Sequence, residues 1–182
     1  MKHVVIVNGK PESGKTTFEN ECINLLDKSE MAHGHIWSSI DFIKEVYKSF
    51  GWDGVKTPKA RKHLSELKKI WVETSNGPVG HILNKIIIEL TYYEDHVVFV
   101  DIREENEIIE MSEILKSLRP IGITCTTMLV TREDCNGLEY GNKSDDSVGQ
   151  NESLYEHIIN NNGTVDELRE QARNFIKKLL EE

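Results

Sequence analysis

Gly9, Lys10, Pro11, Glu12, Ser13, Gly14, Lys15 and Thr16 fit the pattern G-x-x-x-x-G-K-[ST], directly after the apolar run Val4-Val5-Ile6-Val7. Glycines let a tight strand-to-helix turn converge its backbone N–H groups on one point, and an anion binds there. Lys15 is placed to reach the β- and γ-phosphates of a nucleoside triphosphate. The Thr16 hydroxyl is placed to hold Mg²⁺, and the helix that starts near Lys15 adds its positive end. Residues Gly9 to Thr16, with Thr17 behind them, are the candidate nucleotide-binding set.

A second group of residues suits the rest of a phosphoryl-transfer site. Asp101 ends the apolar strand Val97-Val98-Phe99-Val100, the position from which a carboxylate can complete a magnesium shell beside the phosphate loop. Its plain alternative is a cap for the helix beginning near Glu104. Arg103, two residues on, can grip a phosphate with both arms of its guanidinium, or else pair with Glu104 or Glu107. Arg132 at the end of the next strand and Lys143 in the loop beyond it are candidate cations for a closing lid. Lys56, Lys59, Arg61, Lys62, Lys68 and Lys69 form a basic helical cluster. Most of it reads as a solvated face, with Arg61 the candidate acceptor-phosphate contact. Asp41 is the candidate substrate-side carboxylate and general base, were the acceptor a hydroxyl.

These residues need a frame, and strand and helix signals alternate along the chain as in a parallel sheet covered on both faces. The spacing predicts a helix over Thr16 to Lys28 and a short strand at His35-Ile36-Trp37. Ser38 or Ser39 is expected to cap a helix with Ile40, Ile43, Val46, Tyr47 and Phe50 as its apolar stripe. Thr57-Pro58 starts another that runs to about Thr74, and Asn76-Gly77-Pro78 breaks it. Helices over Val79 to about Tyr93 and Glu107 to Leu118, and a strand over Ile123 to Val130, follow. Residues 131–151, rich in Gly, Asn, Asp and Ser, read as a mobile surface excursion. His157 to Gly163 reads as an edge strand and turn, and Thr164 with Glu167 as a capping box for a closing helix. Trp37, Trp52 and Trp71 suit either base stacking or core filling.

Composition narrows the class. With 182 residues the chain fits one domain that buries roughly 70% of its unfolded surface. Lys and Arg total 22 against 31 Asp and Glu, a formal charge of −9, which argues against long nucleic acid and for a small phosphorylated partner. Cys22, Cys125 and Cys135 are spaced for no zinc site and suggest free thiols in a reducing compartment. A chain that enters a strand at once, with no apolar run near the ~18 residues of a membrane span, leads us to expect a cytoplasmic protein off the membrane, with a homodimer left open.

The phosphate loop, Asp101-Ile102-Arg103-Glu104-Glu105-Asn106-Glu107, the strand ending Val130-Thr131-Arg132, and Ile158-Ile-Asn-Asn-Asn-Gly163-Thr-Val-Asp-Glu-Leu168 together resemble the deoxynucleoside monophosphate kinase group, which is related to dephospho-coenzyme A kinase. The resemblance implies a three-layer P-loop kinase fold with a central parallel sheet of about five strands. It further implies an acceptor-binding helical insertion over about 38–84 and a lid loop over about 131–151. ATP as donor, Mg²⁺, and transfer of the γ-phosphoryl group to the phosphate of a (deoxy)nucleoside monophosphate follow from the same resemblance. The middle of the chain matches the group only in being helical and basic.

Other classes are weaker. Asp134-Cys-Asn-Gly137 and Asn142-Lys-Ser-Asp145 spell the D-x-x-G and N-K-x-D signatures of GTPases. They share one polar loop instead of closing two strands, so one nucleotide cannot meet both as a GTPase requires. An ATP-hydrolysing binding module would want a catalytic Glu beside Asp101, and Glu104 and Glu105 fall in the turn. A kinase acting on a hydroxyl of a nucleoside, cofactor precursor or polynucleotide end is the closer alternative.

Overall fold

The computed structural model describes residues 1–75, 77–135 and 148–181. Five strands, β1 (Lys2–Asn8), β2 (His33–Ser38), β3 (His96–Asp101), β4 (Ile123–Thr131) and β5 (His157–Asn160), form one sheet in the order β2-β3-β1-β4-β5. Every adjacent pair is parallel. β1 lies at the centre, and Val4 to Val7 are wholly buried because both faces of the sheet are covered.

The two-residue strand period divides the core into two layers. Val4 and Ile6 of β1 with Val98 and Val100 of β3 face α4 (Gly77–Tyr92) and α5 (Glu105–Ser117), where Ile82, Ile86, Ile108 and Met111 pack. Val5, Val7, Val97 and Phe99 face the other way. There α1 (Lys15–Ser29) contributes Phe18, Cys22 and Leu26, and α6 (Val165–Glu181) contributes Leu168, Ala172, Phe175 and Ile176. Two further helices, α2 (Asp41–Ser49) and α3 (Pro58–Thr74), continue the first layer: α3 packs on α4, and α2 on α3. The outcome is the expected three-layer α/β architecture.

Local signals explain most boundaries. The Thr57 side chain accepts a hydrogen bond from the Ala60 N–H at 3.1 Å and starts α3 at Pro58. Thr164 and Glu167 form the reciprocal box, with the Thr164 N–H donating to Glu167 Oε2 at 2.6 Å and the Glu167 N–H donating to Thr164 Oγ1 at 3.2 Å. One cap differs from expectation. Neither Ser38 nor Ser39 caps α2: Ser38 is the last residue of β2, and the Asp41 carboxylate instead accepts the Ser38 N–H at 2.9 Å, so a backward-reaching turn replaces a serine cap. Gly77-Pro78, placed in a break, opens α4, since proline is tolerated in a first helical turn.

Cys22, Cys125 and Cys135 are free thiols. Among the described residues no helix is long and apolar enough to cross a membrane. The polar excursion is anchored at its described ends by buried Cys135 and Val148. Residues 136–147 lie outside the described residues, and with them Lys143 and most of the two GTPase-like strings.

Candidate active site

The carboxyl ends of β1 and β3 lie side by side, with Val7 paired to Asp101 and Ser38 of β2 paired to Asp101 from the other side. The phosphate loop, residues 9–14, leaves β1 there. Its entry is fixed by Asn8, a buried residue whose Oδ1 accepts the Gly9 N–H at 2.7 Å and whose Nδ2 donates to the Tyr155 hydroxyl at 2.7 Å. Glu12 holds φ 65°, a left-handed conformation costly for a side-chain-bearing residue and common at ligand-binding turns. Gly14 holds φ 98°, and a Cβ there would run into the carboxamide of Asn161. That carboxamide donates a 2.9 Å hydrogen bond to the Ser13 carbonyl. The Ser13 hydroxyl is buried without a hydrogen-bond partner. Lys15 spans the loop, its ammonium donating to the carbonyls of Gly9 at 2.6 Å and Lys10 at 3.0 Å.

Lys15 and Asp101 share one crevice with Ser39, Lys56, Arg61 and Arg103. Burial pushes the Asp101 carboxyl up from its ordinary range, against the opposing fields of Lys15, Arg103 and Lys44. Its Oδ1 is buried and has no hydrogen-bond partner. A buried carboxylate oxygen left open beside a phosphate loop fits a divalent cation, which would favour the ionised form. It does not cap α5, whose first turn follows Glu104 with no side-chain cap. Thr16 and Thr17 are exposed in the first turn of α1 and border a second depression with Glu12, Gly14, Arg132 and Gly163. Lys15 lines both spaces, which adjoin at its side chain.

The cationic wall of the crevice is supplied by the helical segment and the β3–α5 turn. Lys56 is held below the ordinary lysine range, first by burial and then by Lys44, Arg103 and Arg61. Asp101 opposes this shift, and Lys44 is paired with Asp41, so the excess of positive charge here comes from Lys56 with Arg61 and Arg103 close by. Lys68, also in the crevice, is neutralised: it contacts Glu104 closely and Glu107 at 2.8 Å, tying α3 to the start of α5. Lys62 and Lys69 make loose surface pairs with Glu66 and Glu73.

Asp41 adjoins this wall through Lys44, while Arg132 and the tryptophans lie elsewhere. Asp41 is engaged on both oxygens, by the Ser38 N–H and by Lys44 at 2.7 Å. Arg132 lies beside the loop on the β4–β5 side and grips Asp134 at 2.9 Å. Trp37 hydrogen-bonds Glu89, Trp52 stacks on Tyr47, and Trp71 packs with Phe42 and His81.

One buried residue escaped the sequence reading. Glu19, one helical turn beyond Lys15, is fully buried with both carboxylate oxygens lacking a hydrogen-bond partner. Burial, and then the nearby Asp101, push it up to about 8, with Lys15 opposing. The available signal was an acidic residue inside the apolar stripe Phe18, Cys22, Leu26.

Solved structures share this fold along nearly the whole chain. The Mycobacterium tuberculosis APS kinase CysC in complex with AMPPNP and APS aligns with TM-score 0.55 at 14% identity, over 98% of this chain and 97% of that one. Its Cys556Ala mutant aligns with TM-score 0.50 at 13% identity, over 98% and 96%. The chain has the P-loop kinase fold. Shikimate kinase from Bacteroides thetaiotaomicron also matches, with TM-score 0.49 at 14% identity over 98% of each chain. No protein-family model and no curated protein sequence matches the chain. The crevice between Lys15, Asp101 and the α2–α3 segment and the depression that holds Arg132 and Gly163 meet at Lys15.

Proposed function

We propose that this chain is an ATP-dependent phosphotransferase that moves the γ-phosphoryl group to the phosphate of a (deoxy)nucleoside monophosphate. Residues about 38–84 are the acceptor-binding part. The observation that carries this reading is the convergence of Lys56, Arg61 and Arg103 on the crevice that already holds Lys15 and Asp101. Basic side chains outnumber the carboxylates of Asp101 and Glu104 around this space, which suits an acceptor that is itself an anion.

In this reading the loop amides and Lys15 bind the donor phosphates, Thr16 and Asp101 hold Mg²⁺, and Arg61, Lys56 and Arg103 orient the acceptor. The metal's contribution is to neutralise charge on the transferring phosphates. An acceptor phosphate oxygen forms the new bond to the γ-phosphorus. The bond from that phosphorus to the bridging oxygen breaks, and ADP departs with the electron pair. No general base is required, because the nucleophile is already an anion. A hydroxyl acceptor would require one, for which Asp41, held by the Ser38 N–H and Lys44, is the candidate.

The test is ADP formation with ATP, Mg²⁺ and a panel of nucleoside and deoxynucleoside monophosphates. Turnover that depends on one of them supports the proposal. ADP formed equally without an acceptor, or only with hydroxyl acceptors, sinks it. Arg61→Ala is expected to raise the acceptor KM roughly 10- to 100-fold while sparing the KM for ATP, from the ~1.5–3 kcal/mol of a charged hydrogen bond. Lys15→Ala is expected to lower kcat by about 100-fold or more.

A further inference from the structure

At the far end of β3 from Asp101, three potential metal ligands from three elements meet. His96 begins β3, His35 lies on the edge strand β2, and Glu89 reaches over from α4. Glu89 Oε1 lies 3.3 Å from His35 Nδ1 and 2.5 Å from His96 Nε2. One ligand atom from each of the three falls within 4.8 Å of the others.

His96 is only 6% exposed, yet neither of its ring nitrogens makes a hydrogen bond. Its Nε2 touches the Glu89 carboxylate without the alignment of a donor and acceptor. A buried imidazole left in this condition costs free energy unless something else engages it. The carboxylate is already oriented: the Trp37 indole N–H donates to Glu89 Oε2 at 2.8 Å, leaving Oε1 turned toward the two histidines. The rings are braced as well, His35 stacked on Trp37 at 4.3 Å and His96 on Tyr93 at 5.3 Å. A second group that fixes a ligating carboxylate, together with packed imidazoles, is how metal sites are built outside their first ligands.

We propose that His35, Glu89 and His96 bind a divalent transition-metal ion, zinc being the best match to two imidazoles and one carboxylate. Ligand distances of about 2.0–2.2 Å in tetrahedral geometry place neighbouring donor atoms roughly 3.3–3.5 Å apart. The His35–Glu89 spacing already matches, and the His96–Glu89 contact widens to admit the ion. The half-exposed His35 ring lies on the solvent side, so the fourth position opens to water. Five residue steps along β3 separate the site from Asp101, about 16 Å, so it takes no part in phosphoryl transfer. Its effect is to clip the edge strand and α4 to the sheet. Metal binding to the folded state alone raises stability by mass action.

The test uses untagged, chelator-stripped full-length protein without Mg²⁺. Titration with Co²⁺ is expected to give the visible bands of a tetrahedral centre at one equivalent, with Zn²⁺ displacing it and raising the thermal midpoint. His35→Ala removes an exposed side chain and is expected to stay folded by circular dichroism while losing both the bands and the zinc-dependent rise. Glu89→Gln, which preserves the Trp37 contact through its amide oxygen, is expected to do the same. Absence of a stoichiometric band in the native protein, or one that persists in both variants because the ion sits elsewhere, overturns the proposal. Neither outcome bears on the kinase reading.

Discussion

The side-chain amide of Asn161, directly after β5, donates a 2.9 Å hydrogen bond to the carbonyl of Ser13 near the end of the phosphate loop, 148 residues away. Both groups are buried. The same carboxamide fills the space a side chain on Gly14 would need, so the loop's left-handed turn and the β5 end are fitted to one another. This gives Asn161 a physical role, the support of the phosphate loop from across the sheet.

Asn161→Ala would leave the Ser13 carbonyl unpaired in a buried place, at a cost of about 1–3 kcal/mol. That cost is expected partly as lower stability and partly as a floppier loop. Calorimetry with a non-hydrolysable ATP analogue and Mg²⁺ should show affinity weakened roughly tenfold, with Asn161→Ala still folded. Affinity equal to that of the native protein would mean that the loop holds its shape without this contact.

Much of the frame that sets up this contact was legible because its signals are local. Val4 to Val7 and Val97 to Val100 are unbroken apolar runs that only a doubly covered strand tolerates, and Thr57-Pro58 and Thr164-x-x-Glu167 write their helix starts within four residues. The candidate site was legible where one motif encodes it, from Gly9 to Thr16, and at Asp101, where a strand simply ends. What escaped depends on contacts across the fold. Asn161 meets Ser13, Asn8 meets Tyr155, and Lys68 meets Glu107 only after the sheet has assembled, and no spacing along the chain announces such pairs. His35, Glu89 and His96 each look like an ordinary polar residue until β2, β3 and α4 come together.

Glu19 carries a pH signature of its own. Its folded-state value of about 8 lies above the ordinary 4.5, so between those limits the folded protein holds a proton that the unfolded chain has released. Stability therefore falls as pH rises through this window, by about 1.4 kcal/mol per unit for one proton. Glu107, raised to about 7 by burial despite Lys68, adds to the decline. Glu19→Gln keeps the shape and removes the ionisation. In metal-free buffer, urea unfolding at pH 8 is expected to find the variant more stable than the native protein, with the difference shrinking toward pH 5. A constant difference at all pH values would show that Glu19 does not titrate in that range.

His3 acts in the opposite sense. It is buried on β1 with Nδ1 at 2.7 Å from the Thr124 hydroxyl and Nε2 at 3.1 Å from that of Thr126. Burial, and then the charge of His157, lower its value from 6.5 to about 4. Between those limits the unfolded chain binds a proton that the folded protein refuses, so stability is lost as pH falls from 6.5 toward 4, by at most about 3 kcal/mol. His3→Gln can still bond both threonines and cannot be protonated. It is expected to flatten the acid side of the stability profile while leaving stability near pH 8 within about 1 kcal/mol of native. The His3 ring resonances followed by NMR provide the direct check: a midpoint near 4 agrees with a buried neutral imidazole clamped between two hydroxyls, and one near 6.5 would mean that water reaches the ring.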